Sequence, residues 1–441
     1  MDDYRSTPRR HDREILALAV PAFGALVAEP LFLMADSAIV GHLGTAQLAG
    51  LGVAATLLAT LTGVFVFLAY ATTAAVARRI GAGDRRAAVQ QGIDGIWLAL
   101  LLSAVLVALT VPLAPWLVGL FGASDSAAPY AVDYLRISAL GIPGMLTVLA
   151  ATGVLRGLQD TRTPLVVAVG GFTANLLLNL ALVYGAGLGV AGSAWGTVLA
   201  QTGMAAGYLA VVLRGARRHH ASLRPDPAGI RACARAGGPL LVRTLSLRAI
   251  LLIATGVAAR LGDTEIAAHQ VAMVLWSFLA FALDAIAIAG QAIIGRYLGA
   301  GDLGGTRAAT RRMVQWGVGA GVVLGLLVVL ARPLYVPLFS PDAAVQARLA
   351  SVLLIVALTQ PVSGVVFVLD GVLMGAGDGP YLAWAMLATL AVFAPLALLV
   401  PAAGGGLVAL WWAMAVFMAV RLILLGWRTR SGAWLVAGAV R

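Results

Sequence analysis

The sequence contains no lysine, and all 30 of its basic side chains are arginines. That absence fits a biased base composition better than any function. A single cysteine, Cys233, excludes an internal disulfide and any cysteine-based metal cluster, and reads as an inert loop thiol. Charged residues make up only 11% of the 441 positions, too few to cover a water-facing surface of ordinary size. No GxxxxGK[ST] stretch is present, which argues against a P-loop ATP-driven pump. No Ser/His/Asp or His-x-x-His spacing stands out, so neither a hydrolytic nor a metal centre is expected and no enzyme activity is read. GLGVAG at 187–192 fits G-x-G-x-x-G, but no strand precedes it.

What is there is apolar. Hydrophobic residues reach 61% and the mean hydropathy is +0.94. Apolar stretches of about 20 residues, each long enough to cross a hydrocarbon core of ~30 Å, recur along the whole chain. The pattern is that of an all-α polytopic membrane protein. Twelve spans are expected, at about 14–39, 50–76, 94–118, 131–155, 164–184, 190–213, 238–260, 266–294, 313–338, 349–374, 380–401 and 405–427. The first runs on without an A-x-A cleavage site, so no removable signal peptide is expected.

The net charge of +11 does not point to nucleic acid, because the arginines sit mostly between alternate spans. Arg5, Arg9, Arg10 and Arg13 precede the first span, and further clusters follow the second, fourth, sixth, eighth and twelfth. By the positive-inside rule both termini are cytoplasmic, in a cell membrane.

The chain repeats itself. RRIGAGD (78–84) returns as RYLGAGD (296–302), GVLRGLQD (153–160) as GVLMGAGD (371–378), and GHLGTAQLAG (41–50) more loosely as ARLGDTEIAA (259–268), always 218 positions on. Each half holds six spans and enters from the same side, so the halves are parallel repeats about an axis along the membrane normal. The expected organisation is an N-terminal six-helix lobe (1–213), a cytoplasmic linker (214–237) and a C-terminal six-helix lobe (238–441). Such symmetry places substrate near the interface of the two bundles.

Features shared by both repeats read as scaffold, with the GAGD segments supplying flexible glycines and a capping Asp at hairpins. The unshared polar residues are the functional candidates. Asp36 corresponds to Ala254, Asp284 to Val66, and Asp370 to Thr152; Asn175 and Asn179 correspond to Phe393 and Ala397. At ~1.5 Å per residue, Asp36, Asn175, Asn179 and Thr197 reach a similar outer depth from three helices, which predicts a polar pocket in the N-terminal half. A carboxylate inside a membrane costs about 2.5–3.5 kcal/mol on insertion scales and usually faces a bundle interior or a wet cavity. Such a group can gain a proton on one side and lose it on the other; the alternative is a neutral, hydrogen-bonded Asp locking helices together.

Secondary candidates are Glu29, Asp284, Asp370, Arg243 and Arg248, the arginines being placed to snorkel or to pair with acids such as Asp284. Pro30, directly after Glu29, interrupts the first helix and permits bending. Pro21, Pro143, Pro361 and Pro395 also lie within spans. His42 and His269, at expected outer helix ends, read as solvated or capping residues.

Three stretches, AEPLFLMADSAIVGHLG (28–44), AAHQVAMVLWSFLAFALDAIAIAGQAIIGRYLGAGD (267–302) and LDGVLMGAGD (369–378), resemble the multidrug and toxic compound extrusion (MATE) transporters of the DinF-type branch. GVLRGLQDTRTP (153–164) adds to them, and the resemblance covers nearly the whole chain. It implies two six-helix lobes in a V shape and antiport of cationic or amphipathic drug-like compounds against H⁺ or Na⁺, without a cofactor. It implies that Asp36 is the cation-coupling acid, with Asn175 and Thr197 as pocket partners. Asn179 stands where some members carry a second Asp, and the seventh span lacks a Glu that some sodium-coupled members use, although Asp370 matches the tenth-span acid. These departures favour proton coupling with Na⁺ retained as the alternative. The expected protein is a monomeric efflux antiporter; the alternatives are a lipid-linked precursor flippase of the same superfamily or a membrane-embedded enzyme.

Overall fold

The computed structural model describes residues 8–122, 124–339 and 341–440, apart from the side chains of residues 8–10, 29, 32, 33 and 35. Among the described residues there are helices and turns and no strand. The helices are α1 (Pro8–Gly41), α2 (Thr45–Gly63), α3 (Phe67–Gly81), α4 (Arg85–Leu120), α5 (Ala128–Ala139), α6 (Ile142–Gly157) and α7 (Arg162–Leu180). They continue as α8 (Gly189–Arg218), α9 (Pro227–Leu261), α10 (Asp263–Gly299), α11 (Leu303–Phe339), α12 (Ala343–Gly375), α13 (Gly379–Ala402) and α14 (Leu407–Ser431).

Ten helical stretches among the described residues are long and apolar enough to cross a membrane, α2 and α3 counting as one. The pair α5 and α6, bent by 51° at their junction, makes an eleventh. The 34 residues of α1 supply the length of a twelfth. Each expected span thus has its helix. Pro143 sits in the first turn of α6, where its missing N–H costs least, and marks the bend. Pro361 and Pro395 lie inside α12 and α13, and α1 stays helical through Pro21 and Pro30. The expected linker is largely helical as well: 214–218 end α8 and 227–237 begin α9.

The contacts divide the chain into two compact units. Gly24–Gly237 form one, here the N-unit; Gly238–Arg441 together with the chain up to Phe23 form the other, the C-unit. The helix pattern repeats at the spacing of the sequence motifs. The stretch α2 to α3 (45–81) returns as α10 (263–299), α4 starts at 85 and α11 at 303, and α6 and α12 end at 157 and 375. The GAGD hairpins are built alike: Gly83 and Gly301 hold φ of +81° and +74°, and Asp84 and Asp302 accept from Ala87 N (2.8 Å) and Gly305 N (2.7 Å).

The other shared motif does more than turn the chain. Gly153 and Gly157 of GVLRG, and Gly371 and Gly375 of GVLMG, are spaced for close helix crossing. A Cβ on Gly153 would stand 2.5 Å from Ala69 O, and one on Gly371 2.4 Å from Ala287 O, 218 positions on in both partners. Only glycine lets α6 meet α3, and α12 meet α10, this closely. The repeats then diverge in continuity. A 3₁₀ turn at Val64–Val66 separates α2 from α3, while α10 runs unbroken; α5 and α6 are bent where α12 is continuous.

The start of α1 is pinned within the C-unit. Arg312 donates twice to Asp12 (2.6 and 2.8 Å), Trp316 donates to it as well (2.7 Å), and Glu14 pairs with Arg296. The bonds from Arg312 hold the Asp12 carboxyl down at about 2, well below the usual carboxylate range. Cys233 is a helical residue of α9 rather than a loop thiol, buried with its Sγ accepting from Gln91 Nε2 (2.8 Å).

Candidate functional site

Asp36 sits on α1, buried in the N-unit. Asn175 and Asn179, the only asparagines in the chain, are one turn apart on α7. Ser193 and Thr197 are one turn apart on α8, which runs antiparallel to α7 beyond a short π-helical turn at Ala181–Gly185. The antiparallel register sets Asn175 against Thr197 and Asn179 against Ser193. Asn175 Nδ2 donates to Thr197 Oγ1 (3.2 Å). Asn179 Nδ2 and Ser193 Oγ both donate to Asp36 Oδ1 (2.7 Å each), and Tyr134 OH of α5 reaches Oδ2 at 3.5 Å. Each strong bond to a charged acceptor contributes about 1.5–3 kcal/mol.

Two buried acceptors beside this cage, Asn175 Oδ1 and Asn179 Oδ1, have no hydrogen-bond partner among the described residues. The second is pressed towards α8 at Gly196, where a Cβ would come within 2.0 Å of it. Gly196 therefore makes room for the Asn179 amide. Next to the cage, Tyr184 OH donates to Ile39 O (2.6 Å), tying the π-helical turn to α1. A π-turn at such a position is a frequent mark of a functional site.

Of the residues expected from the sequence, the structure brings Asp36, Asn175, Asn179 and Thr197 together, and beside them stand Tyr134, Ser193 and Gly196, which sequence reasoning misses. Pro30 lies on the same helix as Asp36; the Glu29 side chain lies outside the described residues.

The repeat-related positions in the C-unit carry no acid or amide. The residues 218 positions after Asp36, Tyr134, Asn175, Asn179 and Ser193 are Ala254, Val352, Phe393, Ala397 and Trp411, all of them buried. His269 stacks on Trp411 with ring centroids 5.7 Å apart, and its Nε2 lies 3.4 Å from Thr255 Oγ1. It is fully buried, so the expected solvated or capping role is wrong for His269. His42 does cap, with Nδ1 at 2.7 Å from Ala38 O.

A second polar cluster lies elsewhere in the C-unit. Asp370 of α12 is gripped by Arg243 of α9 through Nε (3.3 Å) and Nη2, and by Arg421 of α14 through Nη2 (2.9 Å). Arg421 also lies over the rings of Phe367 and Phe417, and Asp284, half-buried on α10, acts on it electrostatically. Arg243 thus meets Asp370, while Arg248 is exposed on α9. Arg421 escaped notice because it lies near the arginine-rich end of the last span.

Two duplicated sets of membrane helices, one enclosing a caged carboxylate and the other an arginine-bound one, fit the class of membrane transporters. The family model described as MatE matches residues 21–181 and again 239–399, the same spacing of 218. The chain is 32% identical over 438 residues to Protein DETOXIFICATION 44, chloroplastic, of Arabidopsis thaliana, covering 96% of this chain and 83% of that one. It is 30% identical to the DNA damage-inducible protein F of Escherichia coli strain K12, covering 97% and 94%. The solved structure of the Vibrio cholerae MATE transporter VcmN in its bent form superposes with a TM-score of 0.87 at 22% identity, covering 98% of this chain and all of that one. The chain belongs to the MATE family of transporters, on its DinF-type side.

Proposed function

We propose that the protein is an H⁺-coupled antiporter that exports cationic or amphipathic drug-like compounds across the cell membrane, acting as a monomer with both termini cytoplasmic. The observation that carries this reading is the Asp36 cage, a buried carboxylate with donors from three helices whose counterpart in the C-unit is Ala254. Protonation removes the charge that Asn179 and Ser193 are arranged to hold, so each proton bound or lost changes what holds α1 to α7 and α8. In the cycle we infer, Asp36 takes up a proton from outside and the cage relaxes, and substrate leaves as the cavity reshapes. Pro30, six residues earlier on α1, lets the helix bend with it.

What favours H⁺ over Na⁺ is that the cage holds one acid, with the neutral amide of Asn179 beside it. The flippase alternative would need cationic groups free for phosphates, and the buried Arg243 and Arg421 are both engaged by Asp370.

The test is substrate efflux from proteoliposomes under an imposed pH gradient and then a sodium gradient. Wild type is expected to respond to the pH gradient, and Asp36→Asn to bind substrate without proton-driven transport. Full proton-driven activity in Asp36→Asn rules out the assigned role, and a response to sodium alone replaces the proton reading.

A further inference from the structure

The arginine-poor end of the N-unit holds a cavity of about 270 Å³. Its walls are Leu43, Gln47 of α2, Tyr130 and Asp133 of α5, and the turn Gly187–Gly189 leading into Val190. Gly187 and Gly189 hold φ of +66° and +55°, so the rim of the cavity uses backbone shapes that suit glycine.

The helices that wall this cavity also build the cage. Tyr130 lies one turn before Tyr134, Val190 one turn before Ser193, and Val40 one turn after Asp36. At ~5.4 Å per turn, the cavity floor is one to two turns outward of the carboxylate. Val40 and Val190 belong to one buried apolar cluster in that gap. Asp133 is exposed on the cavity wall, and Gln47 Nε2 reaches Tyr130 OH (3.4 Å) beside it. Arg136, the guanidinium on the same helix, is turned to α4 by a bond from its Nε to Val111 O (3.3 Å).

We propose that this cavity is the vestibule through which the coupling cation reaches Asp36 from the arginine-poor side, with Asp133 collecting the cation and Val40 with Val190 forming the barrier it must cross. The inference rests on the reading of Asp36 as the coupling acid. Its ligand is a small hydrated monovalent cation. Where that is hydronium, the proton passes to the Asp36 carboxylate and water is left behind. A fixed carboxylate at the mouth raises the local cation concentration, an effect that salt weakens.

The experiment uses the full chain in proteoliposomes. Asp133→Asn is expected to raise the external cation concentration for half-maximal transport by about twofold to tenfold, more than it lowers the maximal rate. High ionic strength should narrow that difference, and Asp133→Glu should restore wild-type behaviour. Proton and sodium gradients run as separate arms identify the cation. In a Cys233→Ser background, Val190→Cys should react with a membrane-impermeant thiol reagent from outside only, and the reaction should stop transport. Wild-type cation dependence in Asp133→Asn, or labelling of Val190→Cys that leaves transport intact, overturns the vestibule. Asp36→Asn measured alongside separates the two readings: if it keeps coupling, the reading of Asp36 falls; if it loses coupling while both vestibule variants behave as wild type, only the vestibule falls.

Discussion

Asp36 has one oxygen held by two short bonds from Asn179 and Ser193 and a second touched only distantly by Tyr134. Its chemistry is set by neighbours that carry no charge of their own. Asn179→Asp would add a second carboxylate beside it, and two neighbouring acids either share a proton or take up a cation. The expected outcome is a stronger transport response to a sodium gradient than in wild type; unchanged ion selectivity in the liposome assay counts against the charge argument. Asp370 offers the opposite case. Replacing it by Asn leaves Arg243 and Arg421 buried around a neutral amide, and breaking such a network costs about 3–5 kcal/mol. Thermal unfolding in detergent should show a marked drop for Asp370→Asn, and a smaller one when Arg243 and Arg421 are replaced by apolar residues at the same time. Asp36, Asn175 and Asn179 were legible because acids and amides are conspicuous in apolar spans. Ser193 and Tyr134 were not, since serine and tyrosine sit comfortably in any membrane helix and only the fold shows which ones face the carboxylate.

Helix by helix, the repeated sequence motifs turn out to mark two separate devices. The hairpin glycines and capping aspartates follow from turn chemistry and could be read directly. The glycines of GVLRG and GVLMG, by contrast, lie on α6 and α12 and let backbones meet. A Cβ on Gly371 collides with the Ala287 carbonyl of α10, whereas one on Gly426 of α14 meets nothing within 4 Å. Gly371→Ala is therefore expected to lower the thermal midpoint. Gly426→Ala should leave it unchanged or raise it slightly, since alanine is the better helix former by about 1 kcal/mol. Equal effects at both positions would show that helix propensity, not crossing distance, sets the response. The 3₁₀ break at Val64–Val66 and the depth of His269 were beyond reach from sequence, because both depend on what packs against the segment.

Across the whole molecule, duplication gave two scaffolds of one plan and selection filled their matching positions differently. Where the N-unit has Asp36, Asn175, Asn179 and Ser193, the C-unit has Ala254, Phe393, Ala397 and Trp411. The twelve-span plan and the duplication could be read in full, because span length, arginine placement and a constant offset are properties of the chain itself. The membership of the first helix could not. Residues of α1 up to Phe23 pack in the C-unit, while Asp36 of that helix packs in the N-unit. The matching helix α9 is divided in the same way at Gly237, and Pro21 and Pro239 fall at equivalent positions of the two.

That division has a consequence for how the protein is made. The leading residues leave the ribosome first, but Arg296 and Arg312, which grip Glu14 and Asp12, are synthesised roughly 280 to 300 residues later. This N-terminal arm lacks those partners until α10 and the start of α11 have been made. Nascent chains stalled at residue 237 should be clipped by added trypsin near Arg13, and full-length chains protected there. Equal cleavage in both would mean that the arm settles without its partners.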